Sequence, residues 1–176
     1  MITKQFKAIL AMMLTSVGSS TNTTAVAQCK KTDGTTVYLT SRSDGFPSSV
    51  STGITTSANN SGICIGRGST PATEDDYMLE SLISSGFSYS TPSKSEYMDD
   101  EGNPCLSYSF TITNTGSSDL TISEIGYIQE RRCGTTKGSI DGYTNKFLID
   151  RTVLDSPISI PVNGYAAVKY TLKTII

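Results

Sequence analysis

Residues 105–113 alternate without interruption. Leu106, Tyr108, Phe110 and Ile112 fall on one side, and Ser107, Ser109, Thr111 and Thr113 on the other. A period of two predicts a strand with one dry face and one wet face. Turn residues occupy 114–119, after which Leu120 and Ile122 resume the pattern. The apolar positions then step to Ile125 and Tyr127, an odd interval that predicts a bulge or bend around Ser123 and Glu124. The closing strand sets Ala166, Val168, Tyr170 and Leu172 on one face. It follows an apolar stretch at 158–160 and an Asn163-Gly164 turn signal. Residues 62–66 are apolar throughout, which fits a central strand.

Weaker signals complete the map. Asp33-Gly34 followed by Val37 and Leu39 predicts a hairpin. Phe87 and Tyr89 mark a strand near 86–91, and 99–104 reads as a turn. Residues 146–150 and 152–154 are apolar enough to be interior. Residues 41–60, with one short strand, and 131–143 read as surface loops. Residues 74–80 predict one helical turn, with Thr73 as its N-cap and Asp75 and Asp76 near its start. Short strands separated by turns predict an all-β fold, a β-sandwich of immunoglobulin-like or jelly-roll-like type.

The N-terminus carries a different period. Phe6, Ile9, Leu10 and Met13 share a helical face. Such a helix is marginal alone and needs a partner surface, on its own domain or on a neighbouring subunit. The same stretch outlines a secretory signal: basic residues, an apolar run, then Ala25-Val-Ala27 before Gln28. The run is too short to cross a bilayer. The adopted division is a docking helix and linker over 1–28, or a signal-like segment, and a β-sandwich domain over 29–176. Removing residues 1–14 is expected to leave a folded domain that no longer joins an assembly.

Composition narrows the chemistry. The 176 residues include 26 serines and 25 threonines, which suits strands with hydroxyl-bearing wet faces. A net charge of −2 gives no electrostatic case for nucleic acid or an anionic membrane. There is no histidine, which removes the usual proton shuttle, histidine-based nucleophile systems and the commonest metal ligand. There is no tryptophan, so any stacking platform rests on tyrosine and phenylalanine. Cys29, Cys64, Cys105 and Cys133 lack the short spacing of a zinc site. They read as free, buried residues, with one or two disulfides as the alternative.

Each candidate site has a plainer reading. Gly66-Arg-Gly-Ser-Thr70 has glycines but not the spacing of a phosphate loop, and reads as a turn. Asp99, Asp100 and Glu101 offer oxygens without the alternating positions of a calcium loop. Asp75 and Asp76 read as helix-start residues. Glycoside cleavage needs two acids, and nothing selects a pair from the 16 present. Arg131 and Arg132, the only adjacent basic pair besides Lys30 and Lys31, read as solvated loop charges, with an inter-subunit contact to an acidic patch as the alternative. Glu124 lies between apolar stretches and should find a backbone or arginine partner, so it reads as structural. No residue is assigned a catalytic, cofactor-binding or metal-binding role.

Three stretches look familiar together. Residues 62–80 run from an apolar strand through Gly66-Arg-Gly68 and a Thr/Pro turn to Asp75-Asp-Tyr77 and Leu79-Glu80. Phe110-Thr-Ile-Thr-Asn-Thr115 precedes Ile122-Ser-Glu-Ile-Gly126. Leu148-Ile-Asp-Arg-Thr-Val-Leu-Asp-Ser-Pro157 leads to the Asn-Gly turn and the closing strand. Over roughly residues 60–175 this pattern resembles tailed-bacteriophage virion proteins. The resemblance implies a small β-rich structural subunit of the particle neck, tail or capsid exterior, with no catalytic residues to carry over. The function expected is therefore non-enzymatic assembly in a virion. Its partners would be other virion structural proteins and copies of itself as a homo-oligomer, with host-surface contact in addition; no nucleic acid, membrane or cofactor is expected. A secreted or surface β-sandwich adhesin for a host glycan or protein is the alternative.

Overall fold

The computed structural model describes residues 1–15, 25–40, 54–132 and 144–173. One helix and nine strands are described: α1 (Lys4–Thr15), β1 (Ala25–Lys30), β2 (Thr36–Thr40), β3 (Gly62–Gly66), β4 (Phe87–Tyr89), β5 (Ser93–Met98), β6 (Pro104–Asn114), β7 (Leu120–Arg132), β8 (Thr144–Ile160) and β9 (Tyr165–Lys173). The fold is all-β with a short N-terminal helix, as its periodicity predicts.

The described strands form three antiparallel sheets: β1 and β2 pair as the expected hairpin and add Cys29 and Val37 to the main core, which lies between the two larger sheets. In the first, β7 lies between β3 and β8, so residues 62–66 form an edge strand and not the central one expected; they are buried because residues 54–55 and 81–83 cover that edge. In the second, β6 is central, with β4 and β5 along one side and β9 along the other. Ile63, Ile65, Ile125, Tyr127, Phe147 and Ile149 of the first sheet pack with Tyr108, Phe110, Ile112 and Tyr170 of the second. Tyr108 and Tyr127 stack across the gap at 6.2 Å between ring centroids. A smaller cluster lies on the far face of the first sheet. There Cys64, Ile128 and Leu148 are covered by Leu79, with Met78 and Leu82 beside them.

The alternation of β6 holds at Tyr108, Phe110 and Ile112, which are buried, and at Ser109, which is exposed. Ser107 is the exception on the expected wet face. It is fully buried, and its hydroxyl lies 2.6 Å from that of Thr171 on β9. The anticipated irregularity in β7 is present as a register shift between Ile122 and Glu124. Ile122 is paired with Ile158 and Glu124 with Val153, so the extra residues sit on β8, around Leu154–Pro157. The shift reverses the faces: Ile122 and Ile125 both join the main core, while Glu124 is turned to the opposite side.

Several expectations need correction. Residues 146–154 and 158–160 belong to one strand, β8, which runs through Pro157. Strand β5 was not foreseen, because all six residues are exposed and show no apolar alternation. Strand β1 begins inside the expected linker. Strand β7 extends through Arg132, so Arg131 and Arg132 end a strand and do not open a loop. Most of the two expected loops, 41–53 and 133–143, lies outside the described residues, as does Cys133. Cys29, Cys64 and Cys105 are buried, and none is joined to another.

Of the two partner surfaces anticipated for the helix, the structure shows its own domain. Ile9 is 1% exposed and belongs to the main core with Cys29 of β1 and Val37 of β2. Residues ahead of the helix extend along β8. Ile2 bridges Asp150, the Thr3 amide donates to the Ile149 carbonyl at 3.1 Å, and the Arg151 amide donates to the Met1 carbonyl at 3.1 Å. The Thr3 hydroxyl, also buried, donates to the Leu148 carbonyl at 2.6 Å.

Candidate functional site

The densest polar cluster lies under the segment that links β3 to β4. This segment crosses the far face of the first sheet as a belt. Glu124 projects into it from β7 and is 0% exposed. Its carboxylate accepts amide bonds from Gly68 at 2.9 Å, Glu80 at 3.1 Å and Ser81 at 2.8 Å. Arg151 projects from β8, opposite Gly126, and its Nε donates to Glu124 at 2.8 Å. Charge-assisted bonds of this kind are the strong class, and they compensate a carboxylate removed from water.

The guanidinium uses its remaining donors on the belt. Nη1 donates to Asp76 at 2.8 Å, and Nη2 to the Thr70 carbonyl at 3.1 Å and to Glu80 at 3.5 Å. Glu80 in turn accepts from the Ser69 amide at 3.0 Å, the Thr70 amide at 2.9 Å and the Thr70 hydroxyl at 2.9 Å. Asp76 accepts from the Thr73 amide and the Thr73 hydroxyl, each at 2.9 Å. Burial opposes ionisation of Asp76, but the bonds from Thr73 and Arg151 outweigh it and hold its pKa below the ordinary value. The Thr70 amide, then the Thr70 hydroxyl, depress Glu80. Burial opposes the charge of Arg151, and its bonds to Asp76 and Glu124 reverse that, so its pKa lies above the ordinary arginine value.

The two glycines of the Gly-x-Gly have a defined reason. A Cβ on Gly66 would lie 2.4 Å from Glu124 Oε1 and 2.7 Å from the Ser81 carbonyl oxygen. One on Gly68 would lie 2.6 Å from Glu124 Oε1 and 2.5 Å from the Glu80 Cβ. The loop amides do face anions, but the anions are the chain's own: Gly68 donates to Glu124, and Ser69 and Thr70 donate to Glu80. The plain turn expected at Gly66–Thr70 is not formed: Gly66 ends β3 and bridges Leu82, the Arg67 amide donates to the Ser81 carbonyl at 2.8 Å, and the chain bends only at Thr70.

The acidic step that follows is a turn and not the expected helical turn. Asp76 reaches back to Thr73, and Asp75 bonds outward to Lys4 of α1 at 2.7 Å. Lys7 similarly meets Glu74 at 2.6 Å, and the Lys4 amide donates to the Glu74 carbonyl at 2.8 Å. Lys30 of β1 stands over the Tyr77 ring, 3.9 Å from its centroid. Exposed ion pairs of this type add little individually. Here they hold the belt's outer rim against α1 and β1.

Two further polar clusters are separate from the belt. Tyr170 donates to Asp150 at 2.5 Å, and the Met1 ammonium lies 2.9 Å from the same carboxylate. Burial, then the charge of Asp150, pushes the Tyr170 hydroxyl well above its ordinary pKa. The Asp99–Glu101 turn is closed by Lys173, whose Nζ lies 2.7 Å from Asp99 and 2.8 Å from Glu101. A lysine thus fills the position where a calcium ion had been considered. Among the described residues, no group of three histidine, cysteine, aspartate or glutamate side chains could hold a metal.

The Lys173 bond, followed by the Asn103 amide, lowers the Asp99 pKa to about 2 from 3.8. Folding therefore favours the ionised form. This contribution is complete above pH about 4 and is lost as pH falls towards about 2. The Asp99→Asn variant should lose less stability between those values than the parent. Denaturation curves taken across that range check this, and equal losses in both proteins would contradict it.

The sequence singled out Glu124, the glycines and Asp76, but assigned them to separate features, and gave Glu80 no role of its own. It missed Arg151, the residue that joins them. The available signal was the charged pair Asp150-Arg151 directly after the apolar run 147–149, which a strand tolerates only with partners. Comparison of the chain with protein-family models, curated proteins and solved structures gave no match.

Proposed function

We propose that the chain is a non-enzymatic structural subunit of a tailed-bacteriophage particle, acting through protein–protein assembly. One observation carries the reading. The three stretches that resemble virion proteins are far apart in sequence, yet their polar residues meet in one network. Gly68, Thr70, Asp76 and Glu80 come from the first stretch, Glu124 from the second and Arg151 from the third. This convergence supports reading the three stretches as one structural unit, and so supports weighing the resemblance as a whole. The acids in that clamp are engaged with amides, hydroxyls and a guanidinium of the chain itself, so they serve cohesion in this reading and not bond-making.

The test is mass spectrometry of purified particles, reporting both the proteins present and the N-terminus of this chain. The expected result is co-purification with virion proteins, with peptides from residues 1–27 retained. Absence from particles, together with recovery from the medium as a chain starting at Gln28, would replace this reading with that of a secreted adhesin.

A further inference from the structure

The strand edges of the two larger sheets are treated unequally. The outer edge of β3 is covered: the Thr55 amide donates to the Ile63 carbonyl at 2.7 Å and the Ile83 amide to the Ile65 carbonyl at 2.9 Å. Residues 1–3 and Thr32 cover β8 between Lys146 and Arg151. Strand β4 has only three residues. Strand β5 pairs Lys94 with Tyr108 and Glu96 with Leu106, so both charges lie on the core-facing side of an exposed edge, where they bridge each other. Capping, short length and inward-facing charge are the devices that keep an edge from pairing with another chain.

Among the described residues, strand β9 is neither capped nor short and carries no core-facing charge; its lysines, Lys169 and Lys173, lie on the wet face. It pairs with β6 from Tyr165 to Lys173 without a register shift, contains no proline, and has no other strand partner among the described residues. Its core-facing residues Ala166, Val168 and Leu172 are half-buried, and Tyr165 is 75% exposed. The direction of its free backbone groups follows from β6. The Thr111 amide donates to the Ser90 hydroxyl at 2.9 Å, and the Thr111 carbonyl accepts from the Ser90 amide at 3.0 Å. Both groups of Thr111 therefore point away from β9. Its partner Ala167 must direct its own amide and carbonyl to the open side, and so by alternation must Tyr165, Lys169 and Thr171.

We infer that this edge pairs with β9 of a second copy of the chain, antiparallel and about a two-fold axis at Val168. The choice of a second copy rests on self-complementarity. Full overlap of the strand would centre on Lys169 and set that lysine against itself. Centring on Val168 places Lys169 opposite Ala167 and Tyr165 opposite Thr171, so no like charges face each other. It matches outward-directed backbone groups with outward-directed groups, and it joins the half-buried core rows of the two copies, Ala166 meeting Tyr170 across the axis. An edge about 30 Å long, at ~3.4 Å per residue, is narrower than a free-standing interface usually requires. The pairing is therefore weak in isolation and suited to repetition within a larger body. It rests on the assembly reading for its purpose, but its geometry stands apart from it.

The experiment is sedimentation of the full chain over a concentration series, with amide hydrogen exchange followed at Tyr165, Ala167, Lys169 and Thr171. A dimer is expected, with those amides protected at high concentration and exchanging on dilution. Ala167 is exposed, so its substitution leaves the monomer intact. The Ala167→Lys variant places lysines opposite both copies of Lys169 and should weaken the dimer by about three- to tenfold, while Ala167→Glu should tighten it by a similar factor. Three results would overturn the inference: a monomer throughout the series, protection of these amides that does not change with dilution, or a dimer indifferent to both substitutions. A dimer of a chain that is absent from particles would defeat the proposed function alone. A particle protein lacking this pairing would defeat the inference alone.

Discussion

Replacing Arg151 with alanine should destabilise the protein by about 3–5 kcal/mol, the cost of leaving a buried charge without its partner. Arg151 is 3% exposed and Glu124 is fully buried. Alanine removes one of the bonds to Glu124 and also the bonds to Asp76 and the Thr70 carbonyl. The loss should be similar for Arg151→Lys, because an ammonium cannot reproduce the planar fork that serves four acceptors at once. Arg151→Met together with Glu124→Leu should recover much of the loss from the charge itself, since a buried pair can be replaced by apolar groups at small cost. Recovery should be incomplete, because the Gly68, Glu80 and Ser81 amides would then lack their acceptor. Urea denaturation of the four proteins measures these differences.

Removing residues 1–14 should abolish the stable fold. This revises the sequence-based expectation that a folded domain would remain. The segment supplies Ile9 to the main core and closes the edge of β8 through Ile2 and Thr3. Its loss uncovers Cys29 and Val37 and leaves the Ile149 carbonyl and Arg151 amide without those partners. The Ile9→Ala variant isolates the packing part and should cost about 2–5 kcal/mol. A truncated chain that melts cooperatively near the parent temperature would show that the helix is accessory. The same reasoning bears on cleavage at Gln28, which would also remove the first residues of β1.

What the sequence made legible follows from one-sided burial. Strand β6 and the closing strand β9 were readable because one face is dry and the other wet. The odd interval between Ile122 and Ile125 was readable as an irregularity, although its effect was not: it turns Glu124 from the core towards the belt. Strand β5 was not readable, since Ser93–Met98 is exposed on both faces and is held by pairing alone. The continuity of β8 was hidden by Asp150, Arg151 and Pro157, which interrupt its apolar pattern. Those interruptions are informative in hindsight. Asp150 meets Tyr170 and the Met1 ammonium, Arg151 meets the belt acids, and Pro157 falls where β8 bulges away from β7. The clamp itself required pairing Gly126 with Arg151 and Glu124 with Val153, a long-range register that local periodicity does not encode.

The same geometry separates what the chain uses internally from what it leaves outward. The residues that looked most like chemistry, the Gly-x-Gly loop and its acids, are directed at one another. The open edge of β9 and the exposed Tyr165 are composed of ordinary strand residues. The assembly role proposed above places its contacts on this surface, with the polar interior setting the shape that the surface presents.

The most direct measurement is a double-mutant cycle between Glu124 and Arg151, read by denaturant unfolding of the parent, Glu124→Gln, Arg151→Met and the combined variant. Cohesion through the clamp predicts a coupling free energy of at least about 1–3 kcal/mol, with both single variants much less stable than the parent. Additive losses, or single variants as stable as the parent, would mean that these groups do not hold the belt to the sheet, and would return them to consideration as a binding or reactive site.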